Sequence, residues 1–248
     1  MKTCISLLVV FLATSATADV IDMIREGDRL DLQGKPSEAL KYYLPAEKET
    51  PKDSTLLIKI AKQYAYLTTE LSPKAKALDA ARTAVSYSER AVALAPGESD
   101  SHLALAVSHG KMMPLLTNKE KVASSRVIKA SAEKAVKLNP ASDYGWHLLG
   151  RWHQGLANVN VVLQGLIRLI YGELPAASNE EALRCFGKAI ALNPDRLLHH
   201  VEIGRTYALM GRTAEARASL DKGLAMPNRE RDDPETKRRG RLALDKLN

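Results

Sequence analysis

Four times along this chain an alanine is followed five residues later by a proline, at Ala46/Pro51, Ala91/Pro96, Ala135/Pro140 and Ala189/Pro194. A small residue closing a helix, followed by a residue that cannot continue one, marks the end of a repeating helical unit. Self-similarity at this scale predicts an array in which each unit buries its apolar face only against its neighbours. The 248 residues are rich in Ala, Leu, Lys, Arg and Glu and contain only two Phe, a balance that suits packed helices and leaves no visible strand-rich domain.

The fullest copy places Trp146, Leu149, Gly150 and His153 ahead of Ala182, Phe186, Ala189 and Pro194. This order resembles the helix-turn-helix unit of the tetratricopeptide class, with His in the usual Tyr column. The expected fold class is therefore all-α: a tetratricopeptide-type right-handed solenoid with stretched repeats, an extra helix in repeat four and a C-terminal capping helix. Repeats are expected at about 20–53, 54–98, 99–142, 143–196 and 197–228, with a cap over 233–248, as a single domain from 19 to 248.

Repeat one carries Gly27, Leu30, Gly34, Ala39, Tyr43 and Ala46 at near-ideal spacing, and Gly34-Lys35-Pro36 breaks the chain between its helices. Ser37 is a candidate cap for the second helix. In repeat two, Ser72-Pro73 predicts an N-cap serine with proline at the first helical position. Repeats two and three close late, so longer helices are expected there. In repeat four the run Val159 to Tyr171 is mostly apolar with Asn160, Gln164 and Arg168 at four-residue spacing, which predicts a helix with most of its face buried. Membrane-surface contact through 159–171 is the less favoured alternative. Ser178 and Glu181 form a capping box for the helix bearing Ala182 and Phe186. Repeat five returns to ideal spacing through Gly204, Tyr207, Gly211, Ala216, Leu220 and Gly223. In the final helix, opened by Asp233-Pro234, Leu242, Leu244 and Leu247 are expected on the buried side and Lys237, Arg238, Arg239 and Arg241 on the wet one.

The N-terminal segment reads as a targeting signal. Lys2, the apolar run from Ile5 to Ala13 and Ala16-Thr17-Ala18 before Asp19 fit a cleaved secretory peptide, so a secreted or periplasmic protein freed after Ala18 is expected. Cys4 would leave with that segment. Cys185, alone in the remainder, is expected to be a buried packing residue.

Further resemblance lies in Val127-Ile128-Lys129 through Ala135 to Pro140, His147-Leu148-Leu149-Gly150-Arg151-Trp152, the Leu174-Pro175 break, and Glu180-Glu181-Ala182-Leu183 with Phe186. Together these segments resemble the regulator of microtubule dynamics family, closely from Ser99 onward and loosely before it. The resemblance implies helical adaptors associated in eukaryotes with microtubules or with mitochondrial and reticular membranes. It implies no catalytic or ligand residues.

No nucleophile elbow, phosphate loop or zinc-protease motif occurs, so no enzyme and no cofactor are expected. Histidine spacing argues against a metal: His102 and His109 lie about 10 Å apart along a helix axis. His102, His109, His153 and His200 instead fall in columns that pack between helices. The net charge of +7 favours acidic partners, while the absence of a dense basic stripe with interleaved aromatics argues against nucleic acid. Projecting the first-helix columns onto a concave groove selects Lys59, Lys62, Tyr66, Lys111, Tyr144, His147, Arg151 and Arg205. Such a groove suits a protein or acidic peptide segment, with Arg151 alternatively a structural strut against a local acid. The expected function is an exported protein-interaction scaffold. The alternatives are a structural subunit of an envelope assembly, or an intracellular microtubule- or organelle-associated adaptor if the N-terminal segment stays on.

Overall fold

The computed structural model describes the backbone of residues 4–159, 164–165, 167–168 and 176–247, with side chains from Ala18 onward. Described residues contain helices and no strand. In chain order these are α1 (Cys4–Leu32), α2 (Pro36–Glu49), α3 (Ser54–Leu67), α4 (Lys74–Leu94), α5 (Ser99–Met112), a 3-10 turn (Met113–Leu115), α6 (Asn118–Leu138), α7 (Asp143–Ala157), α8 (Asn179–Leu192), α9 (Leu197–Leu209), α10 (Thr213–Ala225) and α11 (Asp233–Asp245). They form two compact units, divided between Leu116 and Thr117. The division falls inside the third sequence repeat, between its two helices.

The repeating Ala/Pro pattern now has a structural cause. Ala46, Ala91, Ala135 and Ala189 are all fully buried, because a neighbouring helix packs where a larger side chain would stand. Each alanine carbonyl also accepts the backbone N–H of the residue just before the proline, from Thr50, Ala95, Asn139 and Asn193, at 2.8 to 2.9 Å. Those pre-proline residues leave the helical region, as the ring that follows requires. Beyond the proline, a ring nitrogen six residues on closes the next turn: His102 to the Pro96 carbonyl at 3.0 Å, Trp146 to Pro140 at 2.9 Å and His200 to Pro194 at 2.8 Å. Pairing with these carbonyls explains why His102 and His200 occupy their column.

Repeats one and five, the two of ideal spacing, turn between helices on glycines in the left-handed region, Gly34 at φ 69° and Gly211 at φ 72°. Close helix crossings follow. A Cβ on Gly27 would collide with the Tyr43 ring, and one on Gly150 would stand 2.7 Å from Phe186 Cε1.

Several local expectations change. α2 starts on Pro36 with Lys35 at the cap, so Ser37 lies inside the helix and caps nothing. α4 starts on Lys74, which leaves Pro73 rather than Ser72 at the cap position, beyond a cis Ser72-Pro73 bond. Ser178 Oγ does accept the Glu181 N–H at 3.1 Å, but the Glu181 carboxylate pairs with Arg184, so only half of that box forms. A complete capping box forms instead at Thr117 and Glu120 on α6. Ala243 and Leu244 of α11, with Leu247 just beyond it, pack against the Leu197, Val201 and Leu220 cluster while Leu242 stays exposed. Asp233 is buried there because its carboxylate accepts the Arg229 and Glu230 N–H groups at 2.8 and 2.7 Å. The expected helix over Val159 to Tyr171 lies largely outside the described residues; within it Ile167 is buried and Gln164 Nε2 donates to the Val159 carbonyl.

Candidate functional site

The eight first-helix residues selected by the sequence fall into two sets of four, one in each unit. In the first unit, α3 presents Lys59, Lys62 and Tyr66 one turn apart, so they share a face. Lys59 Nζ donates to Asp28 of α1 at 2.5 Å, and Lys62 Nζ to Asp31 at 2.8 Å. Asp28 also accepts the Tyr43 hydroxyl at 2.6 Å, and burial pushes that phenol's pKa far up. Both ion pairs span 31 residues, three short of the 34-residue offset between repeats one and two, so each lysine of α3 reaches an acid about one turn out of register on α1. At the end of this ladder the ammonium groups of Lys62 and Lys111 each lie 5.7 Å from the Tyr66 ring centroid. The structure thus brings Lys62, Tyr66 and Lys111 together on partly exposed surface.

In the second unit one of the corresponding positions turns inward, while Tyr144, Arg151 and Arg205 stay partly exposed. His147 is 3% exposed, so this expected groove residue belongs to the interior. Its Nδ1 lies 3.0 Å from Nδ1 of His199, whose Nε2 lies 2.9 Å from the Asp143 carboxylate. One proton fits between two nitrogens at that distance: His199 donates from Nε2 to Asp143 and accepts at Nδ1 from His147. Tyr144 stacks on His147 with centroids 5.8 Å apart, and the Arg196 guanidinium lies 5.5 Å from the Tyr144 centroid. Arg196 bridges Asp143 and Glu230, at 2.6 Å to each.

One turn further along α7, Arg151 binds Glu202 of α9, a carboxylate with no solvent exposure. Arg205 binds the same carboxylate at 2.7 Å, and Arg239 of α11 at 3.0 Å. Gln154 completes the layer, donating to the Glu202 carbonyl at 3.3 Å and to Thr206 Oγ1 at 2.9 Å. Arg151 is therefore a strut against a local acid, with part of its side chain still exposed.

Burial sets the titration of this layer. It pushes the His199 imidazole down to about 4, against the pull of Asp143, and drives His147 well below its usual range, with the neighbouring His199 and Arg151 adding to the effect. Burial alone would raise Glu202 and Asp143. Three arginines outweigh it at Glu202, and His199 with Arg196 outweigh it at Asp143, so both carboxyls sit below the usual range. Cys185 is buried and its thiol is pushed up to about 11, the state of a packing residue rather than a nucleophile. No group of His, Cys, Asp and Glu among the described residues is arranged to hold a metal ion, and no described helix is long and apolar enough to cross a membrane.

Sequence reasoning missed Asp28, Asp31, Asp143, Arg196, His199, Glu202 and Arg239. The shared three-residue spacing of Asp28 and Asp31 on α1 and of Lys59 and Lys62 on α3 is a signal that could have revealed the ladder. Glu202 carried none, because a buried acid and a surface acid read alike in a sequence.

This architecture is a helical-repeat array of tetratricopeptide type. Among solved structures it is similar to TTC0263, a thermophilic tetratricopeptide protein of Thermus thermophilus, with a TM-score of 0.63 at 20% identity over 91% of this chain and 98% of that one. It is also similar to YrrB, described as a tetratricopeptide protein with an unusual peptide-binding site, with a TM-score of 0.50 at 16% identity over 95% and 97% of the two chains. The chain belongs to the family described as Regulator of microtubule dynamics protein 1-3, whose model matches residues 23–248. Regulator of microtubule dynamics protein 1 of Mus musculus is 27% identical over 88% of this chain and 72% of its own length. The Bos taurus protein is 26% identical over 82% and 64%, and protein 3 of Rattus norvegicus 23% identical over 89% and 47%. The chain thus spans between about half and three quarters of these relatives.

Proposed function

We propose that this chain is a non-enzymatic adaptor that holds a carboxylate-bearing segment of another protein on the first-helix face of its N-terminal unit. The observation that carries the reading is the Lys62, Tyr66 and Lys111 cluster, a tyrosine ring flanked by two ammonium groups from successive repeats. An incoming carboxylate can take the place of Asp31 on the half-exposed Lys62, while the ring supplies rigid contact area. Family membership and the helical-repeat fold support an interaction role. Anisotropy of a fluorescein-labelled hexaglutamate peptide tests it: Lys62→Ala with Lys111→Ala should weaken binding about tenfold, and added salt should weaken it further. Unchanged capture by the folded double variant at low salt removes this face from consideration.

The proposed compartment is outside the cytosol, after cleavage behind Ala18. Ala18 and Asp19 are exposed, Val20 is the first buried side chain among the described ones, and the cut leaves Asp19–Leu32, which matches α2 in length. N-terminal sequencing of the protein from its native cell checks this. An intact Met1 terminus would favour a second reading, suggested by the relatives' name, of an intracellular adaptor at microtubules or organelles. A fixed stoichiometric complex on purification, instead of exchangeable partners, would point to a structural subunit.

A further inference from the structure

The Glu202 layer carries an imbalance of charge. Three guanidiniums, from Arg151, Arg205 and Arg239, converge on one buried carboxylate. The other acid nearby, Glu235, stands 3.9 Å from Arg239 Nε and hydrogen-bonds Arg238. Arg239 Nε itself is buried without a hydrogen-bond partner, although it is the donor of a charged group. Outward-facing parts remain: the three arginine side chains are 37%, 28% and 28% exposed, while Glu202 is closed off at 0%. Burial holds the Arg239 pKa below the usual range, and repulsion from Arg151 and Arg205 works in the same direction. Buried charge is stable when paired, and surplus like charge beside it favours a further anion.

We propose that Arg151, Arg205 and Arg239 form a second docking point, in which the guanidiniums, oriented from below by Glu202, receive a carboxylate of an acidic peptide on their exposed side. Glu202 is the positioning residue and makes no contact with the ligand. The planar forks suit a carboxylate, which can accept two parallel N–H bonds from one arginine. This assignment deepens the adaptor reading and rests on it for the nature of the ligand, but its residues lie wholly in the second unit.

The test uses the full chain with the labelled hexaglutamate peptide and with inorganic phosphate as a competing anion. On titration with the peptide, the arginine Nε–H resonances of Arg151, Arg205 and Arg239 in the wild-type protein should shift together. Arg205→Gln and Arg151→Gln, each leaving two arginines on Glu202, should weaken binding about tenfold, and Arg151→Lys, which keeps the charge but loses the fork, should weaken it too. Glu202→Gln adds a readout that a purely structural role would not produce. With three unneutralised arginines, that variant should gain more thermal stability from added peptide than the wild type does. Peptide binding that is abolished by Lys62→Ala with Lys111→Ala and leaves the three arginine resonances unmoved overturns this site while keeping the adaptor reading. Absence of peptide binding by the wild type overturns both. Phosphate displacing the peptide at matched charge with higher affinity would overturn the assignment to a carboxylate.

Discussion

The Gly27/Tyr43 crossing in the first unit and the Gly150/Phe186 crossing in the second are the same packing solution with different surroundings. In each, a ring from the second helix lies against the glycine of the first, where a Cβ would not fit. Tyr43 then sends its hydroxyl outward to Asp28, which also holds Lys59, so the polar layer of the first unit lies at half-exposed surface. Phe186 has no hydroxyl to place. Its ring instead meets the His147 imidazole at 5.2 Å, and the polar layer of the second unit runs inward through His199, Asp143 and Arg196. One repeat geometry thus supports a solvent-screened charge ladder in one place and a buried hydrogen-bonded network in another. The difference should appear as different sensitivity to charge removal, pH and salt.

Removing Glu202 should have the largest effect. Glu202→Ala leaves three guanidiniums around an emptied site and should destabilise the second unit by about 3 to 5 kcal/mol, measured by urea denaturation. A loss below about 1 kcal/mol would mean that the arginines relax into water and the layer is no more buried than the ladder. Next in size is the response to acid. His199 titrates near 4 when folded and near the ordinary 6.5 when unfolded, so between those values the unfolded chain binds more protons and stability falls as pH falls. Its contribution, on the order of 3 kcal/mol, is complete above about pH 6.5 and lost by about pH 4. Hydrogen exchange should show the second unit loosening in this window, and His199→Asn should reduce the dependence without abolishing it, because burial also lowers His147, His153 and His200 in the same unit. Burial also lowers His109 in the first unit, so some loosening is expected there as well.

The crossings themselves should respond alike. Gly150→Leu should overpack against Phe186 and cost about 1 to 3 kcal/mol, with Gly27→Leu comparable against Tyr43. A neutral result at either glycine would show that the ring moves aside. The smallest effect is expected at the ladder: Asp31→Asn should cost less than about 1 kcal/mol, and the loss should vanish in molar salt because the Lys62 partner is half-exposed.

Much of this protein was legible in its sequence because the information is local and repeated. An alanine closing the second helix and a proline five residues on recur at fixed spacing in four repeats, glycines facing rings recur at Gly27 and Gly150, and each copy restates the same steric requirement. Helix class, the repeat ends and the buried Cys185 follow from that alone. Ser37 and Ser72 each have the chemistry of a cap, but α2 opens ahead of Ser37, with Pro36 at its first position and Lys35 at the cap, and α4 opens one residue later than a Ser72 cap would set, with Pro73 itself at the cap. Column projection placed Lys62, Tyr66 and Lys111 on one face and they do meet there, yet the same projection put His147 in the groove, and its ring is interior. What only the tertiary structure decided is which charges are buried and with whom. Arg151 acquired its role from Glu202, 51 positions away, and Arg239, on a helix whose basic run reads as a solvated surface, turned in to the same carboxylate. Pairing of that kind depends on how far each helix is rotated and how closely the next one approaches, quantities that no single segment of the chain encodes.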